Sequence, residues 1–528
     1  MSASAGPSTA PEGCAHAPTE VTQREYVTRL RQLTVWVVGV GVLARLFRYA
    51  LDGSIWNDEA AVALNLLRRD FGGLTHALDE RQVAPVLFLW AERAVMLVLG
   101  SSGLALRLLP LLFGLAGLAL YWDFARRAAR PTAAAFAIGI VAVARWPVMM
   151  SSTLKPYTAD MLCSTLLMAL AVRWRQNPER SLPLVALSLV VPFCLGISYP
   201  TVFVAGAVSL YLLPAVWQQR DRRSVALFAC YNLAALSGFV AVYALVLRQA
   251  GDPQTADLKE FMRAYWKHGF PPAGPLDFIW WAVKIHTGRL MSFPWGDGNG
   301  GSTLTALLFL TGVWACWRSG NRSLLVLCLM PFALNFAAAV LRQYPYGACT
   351  RLSMHLAPAI CLMIGTGLAH LVESVPQLRK RLAAATAVLV VFALFGAGEM
   401  IADACKPHRE PYGRWMQGLY RELEPQLRPG DTVVYRCPIP NQRETFDWYA
   451  GRVAERAASL GSATGSGRVW VIVVTATTPG YDLERELVAG LGGAWKTVSR
   501  TEYTTVPISR GHANIYGIVH ALERSDPE

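Results

Sequence analysis

Asp58 and Glu59 stand side by side in SIWNDEAAVALNLLRR (54–69), directly after the first long apolar stretch. Adjacent carboxylates at such a boundary suit two roles. One is a helix start, where an acidic side chain caps free amides and complements the dipole. The other is acid–base chemistry, in which a carboxylate takes a proton from an attacking hydroxyl. Residues 58–69 read as a modest helix, with Ala60, Ala63, Leu64 and Leu67 on one side and Asn65, Arg68 and Arg69 on the other. Asp58 then falls at its cap or in its first turn. A second acidic position is Asp160 in TLKPYTAD (153–160), where Pro156 opens a helix and Lys155 and Tyr157 stand close by. A third group is Arg342, Tyr344, Tyr346 and Arg351 in RQYPYGACTR (342–351). Cations at such places neutralise a phosphate or snorkel to lipid headgroups.

The elements that must carry these residues are membrane helices. The chain has 528 residues, of which 53% are hydrophobic and 16% charged, well below the roughly 25% charged residues of ordinary globular proteins. The formal charge is +13, but the basic residues lie in short clusters between apolar runs, a membrane-topology pattern that argues against nucleic-acid binding. Stretches long enough to span lie near 33–51, 84–100, 104–122, 133–151, 159–175, 183–199, 200–217, 225–247, 303–317, 323–341, 352–372 and 383–401. If all span, Arg29 and Arg31 end up opposite the later basic clusters. Removing 84–100 puts every cluster on the cytoplasmic side. That run is short, opens near Pro85 and holds Glu92 and Arg93 near its centre, so it is expected to lie along the outer surface with those groups wet. About eleven spans follow, and the loops carrying Asp58, Asp160 and Arg351 share the outer face with the long segment 248–302. Arg45 and Arg48, at the outer end of the first span, run against the rule.

Other signals are weaker. GDGNGG (296–301) lacks the GK[ST] of a nucleotide loop and reads as a turn. His268, His286 and His355 have no metal-ligand spacing, so no cofactor is called and a divalent metal has no support from spacing. The aromatic runs HGFPPAGP and FIWWAVKIH read as a lid anchored in the membrane. Most of the ten cysteines lie in apolar runs, while Cys405 and Cys437 share one region and are open to pairing. After Ala402 the composition changes: 431–436, 468–476 and 514–522 read as strands and 481–491 as a helix, a small α/β domain.

The ordered set SIWNDEA, RQVAPVLFLW, LALRLLPLLFG and LKPYTAD resembles the GT-C membrane glycosyltransferases. The likeness is to family-39-like enzymes, including protein O-mannosyltransferases and the aminoarabinose and galacturonic acid transferases of lipid A and core. It runs from about Leu43 to Met168 and weakens through Ala402. The resemblance implies inverting transfer of a sugar from a polyprenyl-phosphate carrier to a glycan, lipid or protein acceptor on the outer face. It implies Asp58 as base or acceptor-orienting group, Glu59 in support and Asp160 as the second acid. Lys155 and Arg351 would hold the carrier phosphate; Tyr157, Arg342 and Tyr344 join them as candidate substrate-binding residues by their position alone, not by the resemblance. Where the aminoarabinose enzymes carry Lys-Pro-Pro, this chain has Val83-Ala84-Pro85, which counts against that role.

The fold expected is a polytopic α-helical membrane protein of GT-C type, with interfacial helices in the first outer loop and a C-terminal α/β domain. Its parts would be a disordered cytoplasmic tail (1–32), a transmembrane domain (33–401) and an extracytoplasmic domain (402–528). Only seven of the 49 basic residues are lysine, which hints at a GC-rich bacterial genome and hence a bacterial inner membrane. The rival reading is a transporter or flippase, but the charges gather at one interface and no paired halves are evident.

Overall fold

A computed structural model of the chain describes residues 21–250, 260–296, 301–408, 411–439, 442–460, 467–476, 478–505 and 515–525. The expected N-terminal tail up to residue 20 and most of the GDGNGG turn lie outside them. The first half runs α1 (Gln23–Ala50), α2 (Asn57–Arg68), α3 (Val86–Leu99), α4 (Gly103–Ala128), α5 (Pro131–Val143), α6 (Arg145–Met150), α7 (Tyr157–Gln176), α8 (Leu182–Ile197), α9 (Thr201–Gln219) and α10 (Arg222–Ala250). The long helices Gly301–Arg318, Arg322–Val340, Ala357–Glu373 and Leu378–Cys405 follow. Among the described residues, seven helices are long and apolar enough to cross a membrane: α1, α4, α9, α10, Arg322–Val340, Thr350–Glu373 and Leu378–Cys405. Two shorter apolar helices, α5 and α8, stand among them. The chain is an integral membrane protein.

Close helix contact needs small residues in lipid, where apolar burial alone draws no two helices together. A Cβ built on Gly312 would lie 2.0 Å from the Met363 carbonyl, and one on Gly367 would lie 2.0 Å from that of Leu308. These reciprocal glycines seat Gly301–Arg318 directly on Ala357–Glu373.

The stretch expected as one span at 133–151 is broken. Ala144 leaves the helical region at ψ 129°, and Pro147 removes an amide from the next turn. The break strands the last carbonyls of α5, which must be satisfied internally. Arg45 does this: its guanidinium donates to Val141 O at 3.1 Å, to Ala142 O at 2.6 Å and to Gly41 O at 2.8 Å. Arg48 pairs with Asp403 on the last long helix. The two arginines that contradict the charge rule are therefore backbone cap and ion-pair partner.

The helix expected to lie wet on the surface is α3, only fourteen residues long. It is not wet at Glu92, which is fully buried. The buried face Phe88, Leu89, Glu92 and Met96 recurs at helical spacing and packs on α2, α4 and α8. Arg93 turns to the carbonyl end of α2, donating to Leu66 O and Leu67 O. Burial pushes the Glu92 carboxyl well above its usual range.

The C-terminal sheet has the order β1-β2-β4-β3 (β1 Thr432–Arg436, β2 Val469–Ala476, β3 Trp495–Thr505, β4 Ile515–Arg524), parallel between β1 and β2 and antiparallel elsewhere. Helices Pro411–Leu423 and Arg443–Ser459, unforeseen in the sequence, flank it. Their buried Tyr412, Met416, Phe446 and Tyr449 share one apolar core with Ile55, Ala60, Leu64 and Leu74 from the segment between α1 and α3. Cys405 and Cys437 are both free thiols.

Candidate active site

Glu59 fixes where the first turn of α2 sits. The carboxylate is 1% exposed and takes both forks of Arg107 on α4, at 2.9 and 2.7 Å. It also accepts Leu154 N–H at 2.7 Å. The remaining Arg107 donors reach the Gly53 and Ser54 carbonyls. One ion pair thus ties the α1–α2 loop, α4 and the segment before Lys155 together. Consecutive helical residues point about 100° apart, so with Glu59 turned inward its neighbour Asp58 projects elsewhere.

Asp58 projects into a cavity of about 1030 Å³. Asp58, Lys155, Tyr157, Asp160, Tyr344 and Arg351 all line it. Distant stretches of sequence meet here, among them the start of α2, residues 77–85, the loop into α7, Tyr199 and Pro200, residues 261–266, Tyr344 and the turn Thr350–Leu356, with Gln442 and Glu444 from the C-terminal part. Arg351 donates Nη1 to Asp58 Oδ2 at 3.1 Å. Its guanidinium lies 5.4 Å from the Trp56 ring, 5.9 Å from Tyr157 and 5.7 Å from Trp266. Its buried Nε has no hydrogen-bond partner among the described residues. Aromatic faces stabilise a guanidinium without using its donors, so this cation stays available to an anion.

Lys155, only 6% exposed, gives its ammonium to Gln82 Oε1 at 2.6 Å. A basic group thus reaches the wall beside Val83. Asp160, in the first turn of α7, is 3% exposed; its carboxyl meets Ser198, and Oδ1 has no other partner among the described residues. Tyr344 donates to Leu352 O at 3.0 Å and packs edge-on against Phe203.

Two expected residues lie elsewhere. Glu59 is in the Arg107 cradle and not in the cavity wall. Arg342 is exposed, at φ 54°, with its guanidinium 5.9 Å from the Phe270 ring. Among the described residues, no three His, Cys, Asp or Glu side chains gather as a metal ion would require. His286 instead faces Tyr346, its Nε2 lying 3.0 Å from the phenol oxygen.

Sequence reasoning missed several wall residues: Trp56, Glu80, Gln82, Trp266, Gln442 and Glu444. Trp56 sits in the quoted motif and could have been marked. Gln442 and Glu444 come from the C-terminal domain, and nothing local in the sequence brings them to α2.

No family model matches the sequence, and comparison with curated proteins gives no match. Solved structures do match. ArnT from Cupriavidus metallidurans in the apo state aligns with 92% of this chain and 98% of its own, at 13% identity and TM-score 0.51. The same protein bound to undecaprenyl phosphate gives identical coverage and identity, with TM-score 0.52. An Archaeoglobus fulgidus oligosaccharyltransferase aligns with 84% of this chain and 68% of its own, at 12% identity and TM-score 0.45. The chain has the GT-C fold shared with ArnT, an aminoarabinose transferase.

Proposed function

We propose that this chain is an inverting glycosyltransferase that moves a sugar from a polyprenyl-phosphate carrier to an acceptor at the outer face of a bacterial inner membrane. The observation that carries the reading is the Asp58–Arg351 pair, set in a polar cavity under three aromatic rings with Lys155 in the same wall. The fold it shares with ArnT, crystallised with undecaprenyl phosphate, supports a lipid-linked donor. About eleven spans and an extracytoplasmic C-terminal domain belong to the same reading. So does an acceptor of glycan, lipid or protein type.

The reaction is a single displacement. The acceptor oxygen forms a bond to the anomeric carbon while the bond from that carbon to the carrier phosphate breaks, inverting its configuration. The acceptor proton passes to Asp58 or, through it, to water. The phosphate leaves with the bonding electron pair and one more negative charge, inside the membrane by its lipid tail. Arg351 and Lys155 meet that charge as it develops, which is where fixed donors accelerate most. Asp58, held by Arg351, orients the hydroxyl and receives its proton as the new bond forms. Asp160 faces the same space and is assigned to the sugar.

The test uses purified full-length protein with a panel of radiolabelled polyprenyl-phosphate sugars. Wild-type turnover that falls about 10²–10⁴-fold in Asp58→Asn fits general acid–base catalysis. Equal activity in both reduces Asp58 to a helix-start residue. No turnover with any donor transfers the weight to a transporter.

A further inference from the structure

The residue before Asp58 opens a second part of the same wall. Asn57 and Asp58 are consecutive in the first turn of α2, and while Asp58 meets Arg351, Asn57 hydrogen-bonds Glu444. Glu444 belongs to the first turn of the C-terminal helix Arg443–Ser459. Its carboxyl also contacts that of Glu80, from the first outer loop. Glu444 Oε2 and Asn57 Oδ1 are buried and unpartnered among the described residues. Acceptor atoms without donors therefore line the cavity one residue away from Asp58.

The backbone that delivers Glu80 is strained. Glu80 and Arg81 adopt φ of 57° and 54°, two consecutive non-glycine residues in the left-handed region. Such residues cost about 1–3 kcal/mol each and persist only where their surroundings fix them. The loop is held by Asp79, which takes Arg69 at 2.8 Å and whose amide bonds Asn65 at 2.9 Å. Of the neighbouring cations, Arg81 lies 5.0 Å from the Phe261 ring, and Arg68 faces Asp447 and Tyr435.

We propose that Glu80 and Glu444, with Asn57 and Gln442 beside them, form the acceptor subsite, and that this subsite takes a saccharide. The inference rests on the glycosyltransferase reading and adds the acceptor's class. A sugar whose attacking oxygen lies at Asp58 places its other hydroxyls within reach of Glu444 Oε2 and Asn57 Oδ1, which meet no donor among the described residues. Flat faces of Trp56 and Tyr265 in the same cavity suit the apolar face of a pyranose. The carboxyl pair repels the anionic donor and so leaves the phosphate to Arg351 and Lys155. Burial first, and the Glu80 charge with it, raise the Glu444 carboxyl above its ordinary range. The Glu444 carboxyl thus holds a proton more readily than an isolated one, which favours hydroxyls over a bound cation.

The experiment titrates full-length protein, loaded with undecaprenyl phosphate, with methyl glycosides of glucose, galactose, mannose and arabinose and with cellobiose. Binding is read by tryptophan fluorescence, and each sugar is also offered as acceptor in the donor assay. Glu80→Ala and Glu444→Ala are expected to weaken binding and raise acceptor KM about 10–100-fold, as loss of hydrogen bonds to charged groups does. Donor KM should be unchanged. Glu444→Gln, which keeps one acceptor oxygen, should fall between and serves if the alanine variants fail to fold. Wild-type binding lost in the variants sustains the subsite even if no donor turns over, so failure of the enzyme reading stays separable. Unchanged acceptor KM and binding in all variants overturns the proposal. So does a fluorescence response to Ca²⁺ or spermidine with none to any saccharide.

Discussion

Two buried arginines stand on consecutive carboxylates, and they are built in opposite ways. Arg107 spends its guanidinium on both oxygens of Glu59 and on the Gly53 and Ser54 carbonyls. Arg351 spends one nitrogen on Asp58 and leaves a buried Nε unpartnered among the described residues, with aromatic rings holding the rest. A saturated pair fixes the chain. An unsaturated one is kept in place by contacts that consume no hydrogen bonds, and so waits for a ligand. The difference separates scaffold from site within one dipeptide, and it can be broken from either side.

The largest effect is expected on the saturated pair. Glu59→Ala leaves the Arg107 charge buried and unpaired, a loss of about 3–5 kcal/mol. The thermal unfolding midpoint in detergent should fall steeply and folded yield with it. The double variant Glu59→Leu/Arg107→Met should recover only part, because the Gly53, Ser54 and Leu154 backbone groups lose their partners as well. Full recovery would show that the cradle does not organise the loop.

Arg351→Met should do the reverse. Folding should hold, since one carboxylate bond is lost at the rim of a cavity, while turnover drops about 10²–10³-fold, the usual cost of a missing donor at a developing anion. A variant that unfolds like Glu59→Ala while keeping its residual turnover would put Arg351 with the scaffold.

Glu92 sharpens the contrast as a buried acid with neither kind of partner. Its two oxygens are unsatisfied among the described residues, and burial raises its carboxyl well above the ordinary value. The sign follows from linkage: the raised group favours the fold most below the unfolded value of about 4.3, and that contribution is lost as pH rises toward the folded value. Glu92→Gln removes the titration. The variant should match wild type near pH 4.5 and exceed it by about 1–3 kcal/mol at pH 8, the cost of an unmet buried polar group. Parallel unfolding midpoints across that range would mean Glu92 has a partner.

The comparison also explains what could be read in advance. Asp160, Lys155, Tyr157, Tyr344 and Arg351 were legible because a charge or phenol at the end of an apolar helix must answer to something, and here that is the cavity. Asp58 was legible for the same reason, but its neighbour was not: spacing puts the two carboxylates 100° apart and cannot say which faces Arg107. Arg45 broke the charge rule for a reason invisible locally, since the carbonyls it caps belong to Val141 and Ala142. Glu444 depends on a contact with Asn57 that spans most of the chain. β3 hid behind its polarity; WKTVSRTEYTT is an edge strand with largely exposed residues.

The smallest effect tests the rings. Trp266 lies 5.7 Å from the Arg351 guanidinium and reaches it from the 260–266 segment, independently of α2 and α7. Trp266→Leu keeps apolar bulk and removes the aromatic face, while Trp56 and Tyr157 remain. A partly exposed cation–π contact contributes about 0.5–1 kcal/mol, so undecaprenyl phosphate should bind about 2–5-fold more weakly. The weakening should come without a change in unfolding midpoint, because the ring holds the cation and not the fold. Combined with Arg351→Met, the two substitutions should be no worse than Arg351→Met alone: once the guanidinium is gone, the ring has nothing left to position. Additive losses would mean that Trp266 meets the lipid-linked donor directly, and the wall at 260–266 would then belong to the substrate's sugar or tail and not to the arginine.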